Sequence, residues 1–165
     1  MAIPVFACLG ILIASLPAGA QTAPPSAAMN ARIDAAIARG APGAKLDLEF
    51  ATPPGQLPSQ YRRWRVKDAT ITMTYVLADS PEAAENLLRV RSDMATTGSR
   101  KVEGVGDDAY LMTTQASDAN KRMNFRRGKI VVELGAPEKV FDAVLRELLE
   151  ELGREVEPPG TLRNQ

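Results

Sequence analysis

The chain has no histidine, and its one cysteine, Cys8, lies inside the first apolar run. Imidazole and thiolate are the usual ligands of zinc and other transition metals, and the usual partners in nucleophilic catalysis. With both side chains missing beyond position 8, no metal centre, no cofactor and no Ser-His or Cys-His pair is expected. A disulfide framework is excluded for the same reason. An excess of charge is also lacking, since 20 Lys and Arg balance 20 Asp and Glu. A dedicated nucleic-acid binder is therefore not expected.

Long hydrophobic runs are limited to one, Ile3 to Leu16. It is short for a bilayer span, which takes about 20 apolar residues. Pro17 ends it, and Ala18-Gly19-Ala20 before Gln21 has the small-x-small pattern of a signal-peptidase site. These features predict a signal peptide over 1–20, cleavage after Ala20, and a periplasmic or secreted protein with no transmembrane segment in the mature chain. One feature dissents: no Lys or Arg precedes the run, so only the α-amino group supplies positive charge. Cys8 stands too early to be a lipoprotein cysteine. Residues 21–28, with Pro24-Pro25, read as a disordered leader, residues 29–153 as a single α+β domain, and residues 154–165, with Pro158-Pro159-Gly160, as a flexible tail.

Within the domain the clearest segment is the last. Val140, Phe141, Val144, Leu145, Leu148, Leu149 and Leu152 recur at helical spacing and form one apolar stripe. A hairpin before it offers a matching face: a turn at Arg127-Gly128 sets Phe125 opposite Ile130, Met123 opposite Val132 and, on the other side, Arg122 opposite Glu133. Earlier, Met29, Ile33 and Ile37 predict a short helix ended by Gly40 and Pro42, covering one edge of the sheet. Leu46, Leu48 and Phe50 alternate with Lys45, Asp47 and Glu49, as in a half-buried strand. Trp64 and Val66 are out of phase with Ile71, Met73, Tyr75 and Leu77, which calls for a bulge or, preferably, a hairpin turn at Lys67-Asp68. Ser80-Pro81-Glu82 is an N-terminal helix signal, with Ala84, Leu87, Leu88 and Met94 facing inward and an end near Thr96. Ala109 to Thr114 reads as a strand. The sum is an α+β fold: a mostly antiparallel sheet of about five or six strands covered by two or three helices.

The segment Gly104-Val105-Gly106-Asp107-Asp108-Ala109-Tyr110, followed by the hairpin through Phe125-Arg126-Arg127-Gly128-Lys129-Ile130-Val131-Val132 and the closing helix, resembles exported bacterial α+β domains of unassigned function, some with a PsbP-like fold. The resemblance covers about Ala69 to Leu152. It implies an antiparallel sheet covered by helices and carries no catalytic residues.

Gly104-x-Gly106-x-x-Ala109 superficially matches a dinucleotide fingerprint, but Asp107 and Asp108 would meet the phosphates and a strand follows where a helix is needed. It reads as a tight turn. The two aspartates, adjacent on an extended chain, point to opposite sides and make a poor acid pair. A calcium loop lacks its closing Glu.

The remaining hint is uneven charge. Arg62, Arg63, Arg65 and Lys67 surround Trp64; Lys121, Arg122, Arg126, Arg127 and Lys129 crowd the last hairpin; Glu138, Asp142, Glu147, Glu150 and Glu151 dominate the final helix. Glu150 and Glu151 stand at a helix C-terminus, where the dipole disfavours them. The plain interpretation is that such charges solvate strand edges and discourage edge-to-edge pairing. The functional one is a basic surface at Arg122, Arg126, Arg127 and Lys129 that meets an envelope protein or anionic ligand; reversal of Arg126 and Arg127 should then abolish binding without lowering the melting temperature. The expected role is a non-catalytic binding domain, the alternatives being a small hydrolase using carboxylates or a Ser-Lys pair, and a structural accessory subunit.

Overall fold

A computed structural model describes residues 27–53, 58–95, 98–113 and 120–153. The expected signal peptide, most of the leader, and the tail beyond Gly153 lie outside the described residues. The element order is α1 (Ala27–Gly40), β1 (Lys45–Ala51), β2 (Gln60–Val66), β3 (Ala69–Leu77), α2 (Pro81–Asp93), β4 (Ser99–Val102), β5 (Asp108–Met112), β6 (Asn120–Arg127), β7 (Ile130–Pro137) and α3 (Glu138–Gly153). The fold is α+β. Every strand pair is antiparallel, in one seven-stranded sheet of order β1-β2-β3-β7-β6-β5-β4. The strand beyond the expected five or six is β4, four residues long with no buried side chain, too short for alternation to register.

Strand period divides the sheet into two faces. On the inner face Trp64, Ile71, Met73, Tyr75, Met123, Phe125, Ile130, Val132 and Leu134 join the buried side of α1 and the α3 stripe in the main core. Phe141, Val144, Leu145, Leu148 and Leu152 are buried as the spacing predicts. Helix α1 is bonded through Asn30 and Asp34 to Glu49 of edge strand β1 and to Arg62 and Trp64 of β2, at one edge of the sheet as expected, and it packs against α3. The approach is close because position 40 has no side chain; a β-carbon there would lie 2.6 Å from Val144 Cα.

The same contact resolves one of the two misplaced acids of α3, Glu151. Glu151 receives Arg32 Nε at 2.8 Å and Arg39 Nη2 at 2.9 Å, while Arg39 Nε reaches Glu147 at 2.8 Å. Arg32 Nη2 also donates to the Glu151 carbonyl at 2.7 Å, satisfying an acceptor that the helix end leaves open. The hydrogen bonds that Arg39 donates, first to Glu147 and then to Glu151, raise its pKa above the ordinary value. The dipole penalty is thus offset by guanidiniums from another helix.

The two hairpins expected from the sequence each turn on a residue with positive φ. Lys67-Asp68 is a turn, with Val66 opposite Ala69 and Lys67 at φ 52°. In the last hairpin the turn is Gly128-Lys129, with Arg127 opposite Ile130, not Arg127-Gly128. Gly128, at φ 57°, takes the first turn position, which would otherwise force Arg127 into the left-handed region. The pairing therefore shifts by two residues: Phe125 faces Val132, Met123 faces Leu134, and Arg122 faces Gly135 instead of Glu133. A shift of two preserves parity, so the four apolar residues keep the inner face.

Strand β1 departs from its expected half-buried alternation. All seven residues are exposed, Phe50 at 53%. The register slips between Leu46, opposite Trp64, and Leu48, opposite Arg63. This bulge at Asp47 sends Leu48 and Phe50 to the outer face and turns Glu49 inward, opposite Arg62. Helix α2 ends at Asp93 with Met94 as its C-cap; Met94 is 75% exposed, and Ser92 is buried in its place.

Candidate functional site

Helix α2 lies on the outer face. Ser80 Oγ accepts from Ala83 N at 3.1 Å to start it, and Ala84 and Leu88 pack on Val131. It contacts β5, β6 and β7. Among the described residues the outer face of β1, β2 and most of β3 is left without a helix, and Thr70, Thr72 and Thr74 are half-exposed there.

Two cross-strand rows define this uncovered half. One runs Leu48, Arg63, Thr72, Gly135, Arg122; the next runs Phe50, Tyr61, Thr74, Glu133. Phe50 and Tyr61 stack with centroids 4.7 Å apart at 22°. Where the rows adjoin, Tyr61, Thr72, Thr74, Arg122, Glu133 and Gly135 line an open depression of about 210 Å³. Gly135 makes the space: its φ is not positive, and an added β-carbon would stand 2.7 Å from Thr72 Oγ1. Glycine is required there by room, not by backbone conformation.

Among the described residues guanidiniums outnumber carboxylates on this half. Asp47 Oδ2 is shared by Arg63 Nη2 at 2.7 Å and Arg65 Nε at 3.4 Å. Burial acts to raise the Asp47 pKa, yet Arg63 and Arg65 together hold it below the ordinary value. Glu133 shares the depression with Arg122 and attracts Arg91 of α2. Burial lowers the Arg91 pKa, and the Glu133 charge opposes that shift.

The four basic residues singled out in the sequence are not one patch. Arg122 lines the depression. Arg126 and Arg127 lie about 14–17 Å further along the strand, four and five residues on. Arg126 donates to Asp107 at 3.3 Å and to Asp108 at 3.0 Å, and its side chain is 12% exposed. Arg127 donates to Asp107 Oδ1 at 3.3 Å and packs its guanidinium against Gly153 at the end of α3. Lys129 is exposed in the turn. Asp107 Oδ2 also accepts from Gly128 N at 2.7 Å, so the Gly104–Tyr110 segment clamps the hairpin turn. Lys101 and then Arg126 hold Asp108 below its usual pKa, and Asp108 raises that of Lys101. A reversal of Arg126 and Arg127 would break this clamp and lower the melting temperature, unlike the outcome expected from sequence.

A second charged network sits on the inner face. Arg62, 1% exposed, donates through Nη2 to both oxygens of Asp34 at 2.8 and 2.7 Å, and its Nη1 lies 2.7 Å from Glu49 Oε1. Trp64 Nε1 donates to Asp34 at 2.9 Å, Gln60 Nε2 to Glu49 at 2.7 Å, and Tyr75 OH to Asn30 Oδ1. These bonds seat α1 on the sheet.

Among the described residues no group of three or more Asp, Glu, His or Cys is placed to hold a metal ion, and no helix is long and apolar enough to cross a membrane. The outer-face residues Tyr61, Thr72, Thr74, Glu133 and Gly135 were missed in the sequence because only the pairing of β2, β3 and β7 brings them together; a glycine inside an apolar strand was the available signal. Comparison with known proteins returns no match to a family model, to a curated protein or to a solved structure.

Proposed function

We propose that this chain is an exported, non-catalytic α+β domain that binds an anionic partner in the cell envelope through the uncovered half of its outer sheet face. The observation that carries this is the charge of that half: Asp47 is shared by Arg63 and Arg65, and Glu133 stands near Arg91 and Arg122. Such a surface steers acidic partners and weakens with salt. Of the basic hairpin set, Arg122 belongs to this surface. A hydrolase built on paired carboxylates or a Ser-Lys dyad needs those groups in one cleft, and among the described residues that line the depression Glu133 is joined by neither a second carboxylate nor a lysine. Export is the other half of the proposal and rests on Ile3–Leu16, Pro17 and Ala18-Gly19-Ala20. Membership of the exported PsbP-like class belongs to the same proposal and rests on the Gly104–Tyr110 segment.

The test is capture from the native envelope by the tagged protein after brief crosslinking, with Arg63→Glu/Arg122→Glu as the disabled variant. Retention of one saturable anionic partner, lost in that variant while its melting temperature holds, is the expected result. Equal retention by both proteins would refute the site. Intact mass of the exported protein should correspond to a chain beginning at Gln21.

A structural accessory role is the second reading, favoured by the exposed apolar side chains Leu46, Leu48 and Phe50 on edge strand β1. It predicts association of the chain with itself or a subunit that salt does not weaken.

A further inference from the structure

We infer that edge strand β1 is a self-association site, where a second copy of this chain adds its own β1 antiparallel across a two-fold axis at Phe50. The inference is independent of the anionic-partner proposal and gives the structural reading a defined partner.

Main-chain direction fixes the register. Thr52 N donates to Ser59 O, beside β2, at 2.9 Å. Successive residues of an antiparallel strand direct their main-chain groups to alternate sides, so Phe50 and Leu48 also face β2, whereas Glu49 and Ala51 turn their N–H and C=O outward. β1 ends the strand order, and among the described residues no strand meets those groups. An added strand must oppose them with outward groups of its own. A two-fold at Phe50 does so: Glu49 meets Ala51 of the second copy, Ala51 meets its Glu49, and each pair exchanges both main-chain hydrogen bonds.

The side chains agree with that register. Phe50 meets Phe50 of the second copy as a non-hydrogen-bonded pair, the closer kind, with Cα atoms about 4.5 Å apart. Each already stacks on Tyr61 at 4.7 Å, so an aromatic row would cross the joined outer faces. Leu48 falls opposite Thr52, and Glu49 opposite Ala51, so like charges are not opposed. A two-fold at Glu49 would also satisfy main-chain direction, but it sets Glu49 against Glu49, which is destabilising.

The usual guards of an edge are missing from β1. Edges are protected by lysine, proline, shortness or a covering element. Between Leu46 and Thr52 there is neither Lys nor Pro, and all seven residues of β1 are exposed. Its two acids are already engaged by Arg62, Arg63 and Arg65. Lys45 and Pro53 confine pairing to the stretch between them. On the inner face the exposed residues of α1 beside Asn30 and Asp34 are Ala27, Ala31 and Ala38, short side chains that leave a second copy room. The opposite edge, β4, is guarded, with four residues and exposed Arg100 and Lys101. One open and one guarded edge give a closed dimer and no fibre. About 17 Å of paired edge falls short of the roughly 800 Å² per partner of a standard interface, so the dimer should form and dissociate with concentration.

The experiment is sedimentation of the full chain, carrying Cys8→Ser, across the micromolar range. The expected result is a reversible monomer–dimer equilibrium. Ala51→Pro deletes an outward N–H and spares the bonds to β2, so the concentration for half-dimerisation should rise at least about tenfold while the melting temperature in dilute solution holds. Register is read by cysteine under a mild oxidant. Phe50→Cys should form a disulfide between copies, because a close pair on the two-fold suits disulfide geometry. Leu48→Cys should not, since its counterpart lies about 14 Å away along the strand. A monomer at every concentration would overturn the inference and leave the anionic-partner proposal, tested by capture, untouched. A dimer that Ala51→Pro does not weaken would overturn it as well, as would crosslinking through Leu48→Cys as readily as through Phe50→Cys.

Discussion

Gly40 and Val144 hold α1 and α3 at backbone contact: a β-carbon at position 40 would lie 2.6 Å from Val144 Cα and 2.8 Å from its nitrogen. Alanine is the better helix former by about 1 kcal/mol, so propensity alone favours Gly40→Ala. Packing decides otherwise, because the clash is with main chain that has no rotamer to change. Gly40→Ala is expected to cost about 1–3 kcal/mol, read as a lower urea midpoint with an unchanged slope. An unchanged midpoint would mean that the helices separate freely.

The Asp34 carboxylate serves two buried donors at once, Arg62 and the Trp64 indole. Removing it leaves Arg62, 1% exposed, with Glu49 as its remaining carboxylate partner. Asp34→Ala is expected to cost about 2–4 kcal/mol, short of the full value for breaking a buried pair. Asp34→Asn keeps an acceptor for the indole and should recover part of the loss. Equal stability of Asp34→Ala and the parent, by denaturant melt, would show that Glu49 alone suffices.

Lys67 is the non-glycine residue with positive φ among the described residues. It occupies the turn position that Gly128 fills in the other hairpin. Left-handed backbone costs an L-residue about 1–2 kcal/mol, and glycine's extra unfolded-state freedom returns some of that. Lys67→Gly should raise stability by about 0.5–1 kcal/mol, and Gly128→Ala should lower it by about the same or more. A melting temperature that falls in Lys67→Gly would show that the lysine stem supports the turn.

What the sequence made legible follows from which period the physics imposes. The α3 stripe, the α1 triplet and the inner-face set Met123, Phe125, Ile130 and Val132 were readable because burial of one face fixes parity even when the pairing is displaced by two residues. Strand β1 was misread for the converse reason. Leu46, Leu48 and Phe50 alternate without fault, but a bulge at Asp47 counts two residues against one and transfers the later pair to the other face. No local pattern announces it; its causes, the Asp47 pairs with Arg63 and Arg65 and the Glu49 pair with Arg62, are all cross-strand. The depression was hidden likewise, since Arg122 and Thr72 become neighbours only through Gly135.

Acid stability should reveal the clamp at the hairpin turn. Lys101 first, and Arg126 with it, hold Asp108 below its ordinary value of 3.8. A carboxylate depressed in the folded state adds stability that is fully present above the unfolded value and disappears as pH falls through the folded one. The Asp108→Asn variant should therefore be less stable than the parent at neutral pH, by about 1 kcal/mol or less since the pairs are partly exposed. The two stability curves should converge below pH 3.8, as the parent takes up its proton. Parallel curves across that range would place the acid sensitivity elsewhere.

The outer face makes the last demand. Phe50 is 53% exposed although it stacks on Tyr61, and Leu48 beside it is 39% exposed. Replacing both by threonine suits an exposed strand and removes little buried area, so Leu48→Thr/Phe50→Thr should cost no more than about 1–2 kcal/mol. If the face binds a partner, the same change should weaken capture at least as much as reversing a single arginine, because the aromatic pair supplies apolar contact that salt does not screen. Capture by the threonine variant should then fall at every salt concentration, whereas Arg122→Gln should lose most at low salt. A threonine variant that captures its partner undiminished would confine recognition to the arginines and the depression.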